Sequence, residues 1–143
     1  MNMSRTNPGF SLIELMTVLL ITGLLLTLAW PSYQSHVRRG HRVEAATALM
    51  EAQHFMERYY AVQGRFTTDK GAAPALPVRL QTVPAQGTAR YMIKVTEVEA
   101  GKYTLSADPQ GALANDACGS LTLASTGAKG RSGRGLTVQQ CWQ

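Results

Sequence analysis

The sequence predicts an α+β protein, with one long N-terminal helix packed on a four-stranded antiparallel sheet. Three observations predict it. An apolar run from Phe10 to Trp30 carries a single charge, Glu14. An amphipathic stretch follows it directly. Beyond residue 90, short runs alternate apolar and polar residues between glycine turns.

The apolar run sets the first element. At about 1.5 Å rise per residue, residues 10–30 make a helix of roughly 31 Å, which matches a bilayer's hydrocarbon core. A carboxylate five residues inside such a helix costs a few kcal/mol, so Glu14 needs a partner that offsets the cost. The helix continues as an amphipathic half over residues 31–60. Ala45, Leu49, Ala52, Met56 and Tyr60 share one face by three- and four-residue steps, while Glu44, Glu51 and Arg58 repeat on the opposite face. Gly23, Pro31 and Gly40 are weak points for its continuity.

Residues 61–89 read as an irregular connection with at most one short element. Gly64, Gly71, Pro74, Pro77, Pro84 and Gly87 punctuate it. Residues 90–143 hold the sheet. Tyr91, Ile93 and Val95 alternate with Met92, Lys94 and Thr96, and Gly101 marks the turn. Lys102 to Ala107 answers with Tyr103 and Leu105 inward, Ser120 to Ala124 with Leu121 and Leu123, and Leu136 to Gln140 with Leu136 and Val138. Four short strands with short links make a meander.

Of the 143 residues, roughly 80 remain for a compact head, a size that benefits from a covalent staple. The two cysteines, Cys118 and Cys141, read as one disulfide if the head is exported and as buried thiols if it is cytoplasmic. No third ligand at metal spacing accompanies them.

The string Gly9-Phe10-Ser11-Leu12-Ile13-Glu14-Leu15-Met16-Thr17-Val18 resembles the prepilin signature of type IV pilins and of type II secretion pseudopilins. The resemblance covers about the first thirty residues, including Pro31 just past the apolar stretch. It implies the type IV pilin fold. It further implies that residues 1–9 are a leader, that a prepilin peptidase cuts between Gly9 and Phe10, and that Phe10 becomes N-methylated. Glu14 and Pro31 would then serve assembly. Glu14 can approach its own helix N-terminus, where the macrodipole is positive, or across an axial offset the Phe10 amine of a neighbouring subunit. Such a buried pair fixes register. Other pilin subunits, an inner-membrane assembly platform and an external assembly ATPase are the implied partners, and the stretch from Gly23 to Pro31 is expected to unwind in a filament. The exit from the helix, Tyr59 to Phe66, resembles that of many pilins. Cys118-Gly119-Ser120-Leu121-Thr122-Leu123, Gly127 and Cys141-Trp142 resemble the tail of PilE-type minor pilins.

Function follows as an expectation: a minor pilin, structural and not catalytic, that takes part in type IV pilus assembly for adhesion, twitching motility or DNA uptake. The alternatives are a DNA-binding minor pilin for competence and a pseudopilin of a type II secretion system. The precursor would sit in the inner membrane with its head in the periplasm, then join an extracellular fimbrium. One feature opposes that orientation. Arg38, Arg39 and Arg42 follow the span while Arg5 alone precedes it, and positive charge favours the cytoplasmic side. Those three arginines are also placed to meet anionic head groups or to stay solvated.

No catalytic constellation or cofactor site is apparent. His36, His41 and His54 lack metal-ligand spacing and read as exposed helical side chains. The glycine-rich stretch from Gly127 to Gly135 matches no phosphate-loop pattern and reads as a mobile hairpin connection. The formal net charge is +5, and Lys129, Arg131 and Arg134 lie between the cysteines with no acid among them. They form a candidate site for a polyanion, DNA included, read without sequence preference.

Overall fold

In a computed structural model of the chain, residues 9–143 are described; the expected leader up to Pro8, with Arg5, lies outside them. The chain forms two compact units, one ending at His36 and one running Val37–Gln143.

Helix α1 spans Leu12–Gln63. The Ser11 carbonyl accepts the Glu14 and Leu15 amides at 3.0 and 3.2 Å and opens it. Glu14 lies in the first turn, where the helix dipole favours a negative charge. In the N-terminal unit the apolar side chains from Phe10 to Leu26 are exposed, and the hydroxyls of Thr17, Thr22 and Thr27 turn back onto carbonyls of their own helix at 2.7–3.0 Å. Such hydroxyls need no outside partner, which suits an apolar surrounding. Among the described residues α1 alone is long and apolar enough to cross a membrane, and its apolar window is unburied. The helix is unbroken through Gly23, Pro31 and Gly40. Its end lies at Gln63, three residues beyond the expected Tyr60, where Gly64 adopts φ 70° and the Gly64 amide donates to the Tyr60 carbonyl.

The second unit builds its core as the helical stripe predicts. Ala45, Leu49, Ala52 and Met56 are buried with Tyr91, Ile93, Tyr103, Leu105, Leu121 and Leu123. Tyr60 departs from that stripe at 42 % exposure; its ring stacks on Phe66 at 4.5 Å, and Phe66 meets Tyr103 edge-on at 4.6 Å.

The sheet has five antiparallel strands in chain order: β1 (Thr82–Val83), β2 (Tyr91–Glu99), β3 (Lys102–Pro109), β4 (Leu121–Ala124) and β5 (Lys129–Arg131). Three match expectation, with a register shift between Val95 and Glu97. Two do not. The expected fourth strand, Leu136 to Gln140, is a turn leading into a short helix α2, Val138–Cys141. Thr137 and Gln140 cap it reciprocally, side chain to backbone in both directions, and this stabilises the helical turn over an extended run. Val138 is consequently exposed, not inward. The glycine-rich stretch is no mobile link: it supplies β5, paired to β4 through Leu121, Thr122 and Leu123. The sheet also begins before residue 90, because β1 lies within the connection and pairs with Tyr91 and Met92. That connection contributes a 3₁₀ turn, Val78–Leu80, and buries Leu76, Leu80 and Val83.

Candidate functional site

Two regions carry the residues singled out in the sequence. In the N-terminal unit, Gly9, Phe10 and Glu14 are exposed, and Pro31 lies within the continuous helix. Among the described residues, a Cβ built on Gly9 would meet nothing within 4 Å.

The second region is the C-terminal disulfide loop. Cys118 and Cys141 are joined, both fully buried, with Cα atoms 5.7 Å apart. Four glycines allow close packing within and against the loop. Gly133 donates to the Cys118 carbonyl at 2.9 Å and Gly135 to the Ala117 carbonyl at 3.3 Å. A Cβ on Gly133 would fall inside Ala117 and Cys118 backbone atoms, one on Gly119 would strike Ser132 and Gly133, and one on Gly130 would strike the Thr122 hydroxyl. The glycines therefore let the loop pack close against Ala117, Cys118, Thr122 and Ser132.

The three candidate cations sit on this scaffold. Lys129 and Arg131 are on β5, and Arg134 lies in the turn between Gly133 and Gly135, exposed. Lys129 Nζ stands 5.0 Å from the Trp142 ring centre, and the Trp142 indole donates to the Gly130 carbonyl at 3.0 Å. Among the described residues no carboxylate lies within 4.0 Å of Lys129, Arg131 or Arg134. By contrast, Arg65, Arg79, Lys94 and Lys102 each meet an acid.

Arg42 overturns its expected place in solvent or at head groups. It is buried, and its Nε and Nη2 donate to Asp116 Oδ1 and Oδ2 at 2.9 and 2.7 Å. Asp116 Oδ1 also accepts the Cys118 amide at 2.9 Å. Burial pushes the Asp116 carboxyl up, but the hydrogen bonds from Arg42 and Cys118 and the charges of Arg42 and Arg38 outweigh it and hold the group below its ordinary value. Burial, then the Asp116 charge, pushes the neighbouring Tyr91 phenol up to about 12 against the pull of Arg42. A buried arginine read as solvated was missed because its partner is 74 residues away. His36 and His54 are exposed as expected; His41 is half-buried, 3.4 Å from Arg90 and 3.9 Å from Glu44. Among the described residues no group of histidine, cysteine or acid could hold a metal ion.

Comparison with known proteins agrees with this geometry. A family described as type IV minor pilin ComP, DNA uptake sequence receptor, matches residues 31–122. A prokaryotic N-terminal methylation motif matches residues 4–30. The chain is 35% identical over 71 residues to the fimbrial protein EcpC of Eikenella corrodens, covering 50% of this chain and 46% of that protein. It is 28% identical over 109 residues to the type IV major pilin protein PilE1 of Neisseria gonorrhoeae, covering 76% of this chain and 57% of that one. The chain thus spans about half the length of the curated relatives it matches. The crystal structure of the non-core minor pilin PilV of Neisseria meningitidis superposes with a TM-score of 0.53 at 25% identity, over 73% of this chain and 95% of that one. The long helix on an antiparallel sheet is the type IV pilin fold, and the chain belongs to the type IV minor pilins of the ComP family, which are structural proteins and not enzymes.

Proposed function

We propose that the chain is made as an inner-membrane precursor with its head in the periplasm, cut between Gly9 and Phe10, methylated on Phe10, and built into a type IV pilus as a minor subunit. Glu14 carries this reading: it is the lone charge of an exposed apolar helix. Cleavage would leave an ammonium on Phe10, which an axial offset between helices can place beside a neighbour's Glu14. Pairing would relieve two desolvated charges and set the step between subunits. A prepilin peptidase, an assembly platform with its ATPase, and other pilins are the partners this requires.

A second activity in the same subunit is favoured by the family's description as a DNA uptake sequence receptor. Lys129, Arg131 and Arg134 lack acidic partners and suit phosphate, although they lie beyond the matched residues 31–122. DNA binding by the head would be salt-dependent, and removing these cations would lower the salt slope by about one per lost phosphate contact.

Intact mass of the membrane-extracted protein tests the first reading. The expected mass is that of a chain starting at methylated Phe10 with one disulfide; a chain still starting at Met1 refutes it. Deletion should reduce surface fibres. Loss of protein export with fibres intact would assign the chain to a type II secretion apparatus instead.

A further inference from the structure

One end of the head gathers arginines from three separate elements. Arg38 stands one turn before Arg42 on α1, on the same stripe as Ala45 and Leu49, and its charge acts on Asp116 together with that of Arg42. Arg90 precedes β2; its Nη1 lies 3.4 Å from His41 Nδ1, one residue from Arg42. Arg134 is held between Gly133 and Gly135, whose amides bond the Cys118 and Ala117 carbonyls beside Asp116. Arg38, Arg90 and Arg134 are all exposed, and among the described residues none has a carboxylate within 4.0 Å.

The acids at this end are already committed. Asp116 is taken by Arg42 and the Cys118 amide. Asp108 is held by Lys94 and Ser106. Glu44 faces His41. A local surplus of guanidinium remains, and guanidinium matches phosphate in a planar fork better than ammonium does. Along the chain, Arg38 follows Trp30, the last residue of the apolar run, by eight positions. A head carried on the same chain as a membrane span meets membrane phosphate at high effective concentration.

We propose that Arg38, Arg90 and Arg134 form a contact surface for the phosphate groups of an anionic phospholipid membrane. The surface would hold the unassembled subunit's head against the bilayer, and it would be given up on entry into a filament.

The test uses the full chain, reconstituted into vesicles of phosphatidylcholine alone or mixed with phosphatidylglycerol. Arginine labelling by phenylglyoxal is followed peptide by peptide with mass spectrometry. Labelling of Arg38, Arg90 and Arg134 is expected to slow about fivefold each in the anionic vesicles and to recover at high salt. Arg58, exposed and near the far end of α1, should label equally in both. Equal rates at the three arginines in both vesicles overturn the proposal, as does equal slowing at Arg58. Protection of the three by duplex DNA at least as strong as that by phosphatidylglycerol would give the surface to nucleic acid and overturn it as well.

Discussion

The Arg42 guanidinium meets the Asp116 carboxylate through two parallel hydrogen bonds, and the pair bolts helix α1 to the loop that leads into Cys118. Both residues are 7 % exposed, so neither charge has water to fall back on. Replacing Asp116 by Asn leaves a buried guanidinium half-partnered and should cost about 3–5 kcal/mol in urea unfolding. The pH dependence has a definite sign. The folded Asp116 carboxyl titrates below the unfolded value of about 3.9, as does that of Asp108. Their stabilisation is present above that value and is lost as pH falls through the folded value. The unfolding midpoint should therefore be level from neutral pH to about pH 5 and drop below about pH 4, and the drop should be shallower in Asp116→Asn.

Opening the Cys118–Cys141 bridge releases a loop with a sequence separation of 23. The chain-entropy model gives a loss of about 3 kcal/mol. Cys118→Ser with Cys141→Ser should lower the urea midpoint accordingly, and dithiothreitol should then have no further effect on that variant. A midpoint unchanged by the double substitution would mean that packing alone holds the tail.

Glycine positions separate tight packing from open turns. Gly133→Ala drives a methyl into the Ala117 and Cys118 backbone and should destabilise by about 1–3 kcal/mol. Gly101→Ala meets nothing within 4 Å and has no positive φ, so its midpoint should stay within about 0.5 kcal/mol of the parent. Thermal melts of the two variants side by side settle the comparison.

The phenols of Tyr91 and Tyr103 are both pushed up to about 12, chiefly by burial. Ionisation followed by absorbance at alkaline pH should show two late-titrating tyrosines in the folded protein. An unfolded phenol titrates near 10, so the two groups contribute stability below that pH and lose it between about 10 and 12. Tyr91→Phe should remove one late step; a titration in which all phenols ionise together near 10 contradicts the buried placement.

For assembly, Glu14→Val should leave the fold and the membrane insertion intact yet sharply reduce the subunit's share in sheared filaments. Glu14→Asp, which keeps the charge on a shorter arm, should restore part of it. Quantitative immunoblotting of filament and membrane fractions reads both variants.

Much of this architecture was legible because its signals are local. Leu49, Ala52 and Met56 repeat at helical spacing, and Tyr91, Ile93, Leu105, Leu121 and Leu123 alternate, so their burial follows from period alone. The tail was misread for a physical reason. Leu136 and Val138 alternate like a strand, but the reciprocal cap between Thr137 and Gln140 favours a helical turn, and that three-residue spacing was a signal available in the sequence. Strand β5 has no alternation to detect, since Lys129-Gly130-Arg131 is set by its pairing with β4 and by the fit of Gly130 under Thr122. The pairing of Arg42 with Asp116 leaves no trace in either neighbourhood. The methylation motif over residues 4–30 was legible because it is contiguous in the chain.

Both margins of the sheet are blunt. β1 is two residues long and runs into Pro84, which has no amide to donate, and β5 is three residues long with a cation at each end. Neither rim offers a ladder on which another chain could add a strand. Heads brought side by side would thereby be kept from zipping into amyloid-like ribbons, and the proposed filament would have only the oily rods to grow on.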